Sequence, residues 1–302
     1  MKKITIVVYL IFATAFTPIA ARFAVNEIPP LTLAFLRFSI ACVLLTVIFL
    51  YRKNSYSIDK KDYFRFLILG ALVIPINQFC FLKGVSMSSA SHSGVIYSAT
   101  PLFAYIISIG LKSEKFNFRK LSVIIMSILG IFVIFYENLI KIKTSDSNVF
   151  WGDVLLVCAV MSWAAYLTLS SDMVHKYGAV KTSTVSFTIG LIMYIPVFLL
   201  DVKNLDLSRI SFLGGLAFFH LAILVSFGSY FIFTYSTKLI SVSSLTTSLN
   251  SSPIVTILFS SVLLNEELSL YFIIGAVITI TGVFLAQFFK DRNNKEPEIS
   301  IL

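Results

Sequence analysis

Long apolar runs separated by short polar stretches follow one another from end to end of the chain. Ten such runs of 19 to 25 residues can be read: Lys3 to Val25, Pro30 to Tyr51, Phe64 to Lys83, Ala90 to Leu111, Phe118 to Tyr136, Trp151 to Ser170, Thr182 to Leu200, Phe212 to Ser236, Ser243 to Leu264 and Leu268 to Phe289. About 20 mostly apolar residues at 1.5 Å each carry a helix across the hydrocarbon of a bilayer. Membrane barrel strands are shorter and alternate in polarity, which these runs do not. The connections are short, with no Gly/Ser linker or soluble domain between runs. The pattern predicts an all-α integral membrane protein with ten transmembrane helices. The first run begins with two lysines and contains small residues, as a secretory signal does. It is read as a helix that stays, because the repeat described below needs five helices in each half; Pro18 inside it is tolerable where neighbours satisfy the freed carbonyl.

Composition agrees and adds an orientation. Hydrophobic residues make up 57% of the chain and charged ones 13%, at a mean hydropathy of +0.90, against roughly a quarter charged in soluble domains. With ten spans both termini share one side. Placing them inside puts 17 Lys and Arg at inner ends and five (Lys83, Lys141, Lys143, Lys203 and Arg209) at outer ends, the asymmetry of cytoplasmic loops. The expectation is a multi-pass protein of the cell membrane, inner or plasma, with both termini cytoplasmic. The net charge of +9 then belongs to a face near anionic lipid, and no basic run interleaved with aromatics points to nucleic acid. The expected partners are the lipid bilayer and a small-molecule substrate; monomer and homodimer both stay open. Cys42, Cys80 and Cys158 lie far apart inside apolar runs and read as small buried hydrophobes. With His92, His175 and His220 scattered, no metal-ligand spacing is present, and no cofactor is expected.

The chain repeats itself. Shifting it by 152 residues brings Phe81 onto Phe233, Ser89 onto Ser241, Ser91 onto Ser243, Pro101 onto Pro253, Glu114 onto Glu266 and Gly130 onto Gly282 without a gap. Five spans per half is an odd number, so the second half starts on the opposite side of the membrane from the first. The expected organisation is one five-helix repeat over 1–140, an inverted one over 150–290, and a cytoplasmic tail over 291–302. Inverted repeats are the architecture of many secondary transporters, with substrate sites near the midplane where the halves meet.

The segments TLAFLRFSIA from Thr32, SATPLFAYIIS from Ser98 with Glu114 after it, LGIFVIF, SSPIVTILFSSVLLNEELS from Ser251 and IIGAVITITGVFL resemble the EamA-type family of the drug/metabolite transporter superfamily over essentially the whole chain. The resemblance implies an inner-membrane carrier, often an exporter, of amino acids, nucleotide-like metabolites or drugs. The first helix departs from the family's usual Trp-Gly, showing Thr14 and Ala15 instead.

Candidate site residues follow from the breaks. A proline inside a helix frees the carbonyl four residues earlier. Pro101 and Pro253 therefore predict hinges near mid-membrane, with the carbonyls of Tyr97 and Leu249 left to face protein or a wet cavity. Ser93, Tyr97, Thr100 and Pro101 share one helix face, as do Thr246, Asn250 and Pro253; Asn77 and Gln78 on the third span correspond to Ser229 and Tyr230 on the eighth. Asn77, Gln78, Tyr97, Thr100, Tyr230, Thr246 and Asn250 are expected to line a central substrate cavity, with interhelical hydrogen bonding as the competing role. Trp163 and Tyr166 could stack on a planar substrate or simply pack the core.

Intramembrane charge is costly and functional by default. Arg37, seven residues into the second span, could bind a substrate carboxylate or phosphate bidentately or fix helix packing. His220 is the titratable group near mid-depth, and no Asp or Glu occupies the middle of a run. Arg22 and Lys83 lie close enough to outer ends to snorkel. Glu266 is expected to cap the tenth helix and Glu114 the fifth. An intramembrane serine hydrolase is excluded: His220 and Ser229 are nine residues apart on one helix, about 13 Å of rise. The function expected is a non-enzymatic carrier, exporting amino acids or related metabolites by alternating access, with a flippase for lipid-linked or amphipathic substrates, or a non-transporting scaffold, as alternatives.

Overall fold

The structure, a computed structural model, describes residues 2–52, 57–112, 116–142, 147–229, 232 and 251–288. Among these every regular element is helical. Among the described residues, seven helical stretches are long and apolar enough to cross a membrane: Ile4–Val25, Pro30–Tyr51, Lys60–Met87, Ala90–Gly110, Asn148–Tyr177, Ala179–Asn204 and Phe212–Ser229. Three shorter apolar helices, Leu121–Tyr136, Ser252–Leu263 and Leu270–Leu285, lie within the fifth, ninth and tenth expected runs.

In chain order the α-helices are α1 (Lys2–Val25), α2 (Pro30–Tyr51), α3 (Tyr63–Ala71), α4 (Asn77–Met87), α5 (Ala90–Ser98), α6 (Thr100–Gly110), α7 (Phe118–Ile142), α8 (Ser147–Tyr177), α9 (Ala179–Asp201), α10 (Phe212–Phe219), α11 (Ser252–Leu263) and α12 (Leu270–Phe288). Their ends obey local chemistry. Pro30 and Pro101 sit in first turns, where a missing N–H costs nothing. Ser89, Ser211 and Ser269 accept the N–H of the residue three further on and so start α5, α10 and α12. The two long helices α8 and α9 are separated by Gly178 alone, at φ 80°, a conformation that favours glycine.

Three of the runs are broken within the bundle. Pro75 accompanies a π-helical segment, Leu72–Ile76, between α3 and α4, and the Ser162 hydroxyl from α8 donates to the Leu72 carbonyl at 2.7 Å. A second π-helical segment, His220–Ser229, follows α10; there Tyr9 from α1 donates to the Leu224 carbonyl at 2.8 Å. Leu72 and Leu224 are 152 residues apart. Wider π turns release carbonyls from the regular ladder, and in both places a hydroxyl from a neighbouring helix satisfies one. The third break, at Ala99, parts α5 from α6. Here the Tyr97 carbonyl, expected to face protein or a wet cavity, faces protein: Thr100, next to the proline, donates its own hydroxyl to it at 2.6 Å. Pro101 is exposed and Pro253, in the first turn of α11, is buried.

The helices pair as α7 with α12, α2 with α9, α4 with α8, α5 with α11, and α1 with α10, α11 and the second π segment. At the α7 and α12 crossing, Ser127 donates to the Thr279 carbonyl at 3.3 Å and Thr279 donates to the Ser127 carbonyl at 3.3 Å, across a sequence separation of 152. Gly130, Gly275 and Gly282 let these backbones approach: a Cβ on Gly130 would stand 2.6 Å from the Gly275 carbonyl oxygen. Small residues that admit such an approach are the usual device of helix pairs in lipid. Around the outside, large apolar side chains including Val47, Phe64, Phe132, Ile192, Leu199, Leu258 and Val277 are exposed. So much outward apolar surface is costly in water and ordinary against acyl chains.

Candidate functional site

A buried polar cluster lies among α2, α4, α5, α8 and the second π segment. Asn77 and Gln78 occupy the first turn of α4, just past the Pro75 break, and both are buried. Asn77 Nδ2 donates to the Ala159 carbonyl at 2.7 Å and to Tyr97 OH at 3.2 Å; Gln78 Nε2 donates to Asn77 Oδ1 at 2.5 Å. Arg37 is 3% exposed, and its Nε donates to Ser226 Oγ at 2.9 Å. Tyr97 lies close enough to the Arg37 guanidinium to feel its charge. Among the described residues, three buried atoms on these helices, Arg37 Nη1, Gln78 Oε1 and Ser93 Oγ, have no hydrogen-bond partner. Buried polar atoms are nearly always paired. An unpaired cationic donor and an unpaired amide acceptor in one cluster are what a small ligand with an anionic group and an N–H would complete.

The structure thus brings Arg37, Asn77, Gln78 and Tyr97 together and leaves other expected residues at its margin. Trp163 and Tyr166 stack on each other, centroids 5.5 Å apart at 20°, with Tyr166 buried in the core. His220 Nε2 lies 3.2 Å from the Ala13 carbonyl and its ring sits edge-on to Phe16. Thr100 is committed to the Tyr97 carbonyl. Tyr230, Thr246, Asn250, Leu249 and Glu114 lie outside the described residues.

At one end of the bundle the carboxylates depart from expectation. Glu266 does not cap α12, whose start is held by Ser269. Its Oε1 accepts the Ala90 N–H at 2.7 Å and its Oε2 accepts the Ser91 N–H at 3.0 Å and the Ser91 hydroxyl at 2.5 Å, so it caps α5. The preceding Asn265, at φ 50°, turns the chain after α11, and Ser269 is nearer to the orphan N–H groups of α12. Asp153, seven residues into α8, is fully buried. His92 Nδ1 faces it at 2.9 Å, and Ser88 Oγ donates to its Oδ1. An aspartate three residues into an apolar run was the signal for this group in the sequence, by the rule that intramembrane charge is functional by default. Arg22, expected to snorkel, instead donates to the carbonyls of Val85 and Ser86 at 2.8 Å each. Cys158, expected to be buried, is exposed, while Cys42 and Cys80 are buried; the exposed Met161 and Leu169 show that part of α8 faces outward.

At the other end of the Lys60–Met87 stretch, a cleft of about 370 Å³ is lined by Lys61, Asp62, Arg65, Asp172, Met173 and Lys176. Lys176 bonds Asp59 and Asp62, and Tyr177 OH donates to Asp62 at 2.7 Å. These ties close the lower ends of α3 and α8 upon each other, and the cleft's charges are largely paired among themselves.

The fold recurs in a solved crystal structure that aligns with 96% of this chain and 99% of its own at a TM-score of 0.63 and 15% identity. By sequence the chain is 26% identical to the uncharacterized transporter YetK of Bacillus subtilis, over 92% of this chain and 84% of that one. It is equally 26% identical to an uncharacterized transporter of Archaeoglobus fulgidus, over 91% and 93%. A WAT1-related protein of Arabidopsis thaliana is 24% identical over 82% and 73%. The EamA-like transporter family model matches residues 1–136 and again 150–288: the chain belongs to the EamA-like transporter family.

Proposed function

We propose that this transporter is a carrier of the cell membrane, with both termini cytoplasmic, that exports amino acids or related small metabolites by alternating access between two inverted five-helix halves. The observation that carries the reading is the recurrence of contacts at an offset of 152 residues. Ser127 and Thr279 exchange equivalent hydrogen bonds, and the carbonyls of Leu72 and Leu224 are each satisfied by a hydroxyl from a helix of the other half. Equivalent contacts made in both directions are what a two-fold axis in the membrane plane produces, and they support two halves able to exchange conformations.

The unpaired Arg37 Nη1 and Gln78 Oε1 support a substrate with an anionic group and a hydrogen-bond donor, which an amino acid has. The test is uptake and efflux of an amino-acid panel by proteoliposomes. Movement of at least one member, lost in Arg37→Leu and Asn77→Leu while both variants stay folded, is the expected result. A purified protein that moves none of a broad metabolite panel refutes the reading.

A further inference from the structure

Arg37 is a buried cation held by neutral groups. The Ser226 hydroxyl accepts from its Nε at 2.9 Å, the centre of the Phe38 ring lies 5.2 Å from its Cζ, and the Tyr97 phenol stands within reach of its field. Nη1 has no hydrogen-bond partner among the described residues. Taking a guanidinium out of water is costly unless an anion stands beside it. Hydrogen bonds to neutral oxygens orient such a group and leave its charge uncancelled.

The chain brings no counter-charge to this cluster. Of all its Asp and Glu residues, Asp153 alone falls within the ten apolar runs, at the third position of its run. It precedes Ala159, whose carbonyl receives Asn77, by six residues, about 9 Å along α8, and at that end of the bundle it engages Ser88 and His92. None of the ion pairs among the described residues includes Arg37. Asn77 and Gln78 are amides, and a phenol such as Tyr97, with an ordinary pKa of about 10, is neutral at pH 7. His220, close enough to feel Arg37, can add positive charge but not negative. The cluster is left positive, and what enters it has to supply the balance.

We infer that the preferred substrate is a small carboxylate with a single net negative charge, an amino-acid relative whose ammonium is replaced by a hydroxyl or acylated to an amide N–H, and that zwitterionic amino acids are the poorer ligands. The inference rests on the carrier reading and narrows its substrate class. A carboxylate suits the planar donor set of a guanidinium, and Gln78 Oε1, buried and unpaired, suits a neutral O–H or N–H. A monoanion cancels the charge of Arg37 and brings nothing more. A phosphate monoester carries close to two negative charges at pH 7 and overshoots.

A zwitterion brings its own cation into the same buried space. Once its carboxylate meets Arg37, the ammonium one carbon away has neutral acceptors to bond and no carboxylate of the protein to balance it. Two like charges about 6 Å apart, at an effective dielectric near 20, weaken binding by about two powers of ten. Hydrogen bonds from the ammonium to oxygens such as Gln78 Oε1 return part of that. The net preference for the monoanion is about tenfold.

The test reads binding, so it is separable from the transport assay that decides the carrier reading. Purified full-length protein in detergent at pH 7 is titrated with matched ligands, lactate against alanine and 3-phenyllactate against phenylalanine, with N-acetylphenylalanine and the cationic phenylalaninamide added. Apparent Kd values come from ligand-dependent thermal stabilisation. In at least one pair the hydroxy acid is expected to bind about tenfold more tightly than the amino acid, with the amide giving no stabilisation. Arg37→Gln weakens the acid and brings the ratio close to one. Gln78→Glu, nearly the same in shape, adds the missing carboxylate and turns the preference toward the amino acid; should Arg37→Gln not fold, this reversal decides. Amino acids that bind as tightly as their hydroxy acids, a preference that survives both variants, or a panel in which no acid binds overturns the inference.

Discussion

Adding one methyl group at Gly130 tests the close crossing of α7 and α12. A Cβ there would stand 2.6 Å from the Gly275 carbonyl oxygen and 2.7 Å from the Thr279 amide nitrogen, where ordinary contact begins at 3.4 Å. Both obstacles are backbone, so no rotamer relieves them, and α7 and α12 must part by most of an ångström. The Ser127 and Thr279 hydrogen bonds, at 3.3 Å each, do not survive that parting. Overpacking costs about 1–3 kcal/mol and each interhelical hydrogen bond in a membrane protein about 0.6 kcal/mol, so Gly130→Ala should lose roughly 2–4 kcal/mol. At about 2–4 °C per kcal/mol, the Tm in detergent, followed by loss of the monodisperse size-exclusion peak, should fall by roughly 5–15 °C. Gly215→Ala is the control. Nothing lies within 4 Å of a Cβ at that helical position, and removing a helix glycine gains about 0.5–1 kcal/mol. Thr279→Ala added to Gly130→Ala should not rescue, because the backbone oxygen remains. If Gly130→Ala and Gly215→Ala unfold together, the close-packed crossing is wrong.

Three further outcomes follow from single contacts. Ser162→Ala strips the hydroxyl that serves the Leu72 carbonyl and should lower stability by about 1–3 kcal/mol, whereas Tyr9→Phe should cost only about 0.5–1.5 kcal/mol, because Ser229 Oγ still donates to the Leu224 carbonyl at 2.9 Å; thermal unfolding of the two variants checks the difference. Arg37→Lys keeps the charge but not the planar donor set that bonds Ser226; in the proteoliposome assay it should fail to restore the transport that Arg37→Leu removes. Lys176 holds the Asp59 carboxyl below its usual range by hydrogen bond and charge. A depressed carboxylate contributes stability above its ordinary value, about 3.9, and loses it as pH falls through the lower folded value. The difference in Tm between the protein and Asp59→Asn should therefore stay constant from pH 7 to 5 and vanish only once the pH falls below the ordinary carboxylate range.

Helical class, membrane solvent and duplication were all written in one dimension. An apolar run of about 20 residues has to become a helix in lipid, because no other structure satisfies its backbone there, and an offset of 152 is a property of the string itself. Asn77, Gln78 and Arg37 were also legible, since a primary amide or a guanidinium inside such a run needs a partner or a purpose. Which partner each finds is decided by helices distant in sequence. Glu266 sits four residues before α12 yet serves α5, 175 residues away, because its carboxylate reaches the first N–H groups of that helix in space. Asp153 looked like a residue at the edge of a run and became the buried counterpart of His92 only when α5 packed beside α8. Pro75 marks a break that the structure reveals, and the Ser162 hydroxyl that makes the break tolerable comes from another helix. The string settles what each segment must be in its solvent, since that depends on neighbours in sequence. Tertiary packing alone settles which buried charge and which open carbonyl meet, since hydrogen bonds are matched by distance across helices.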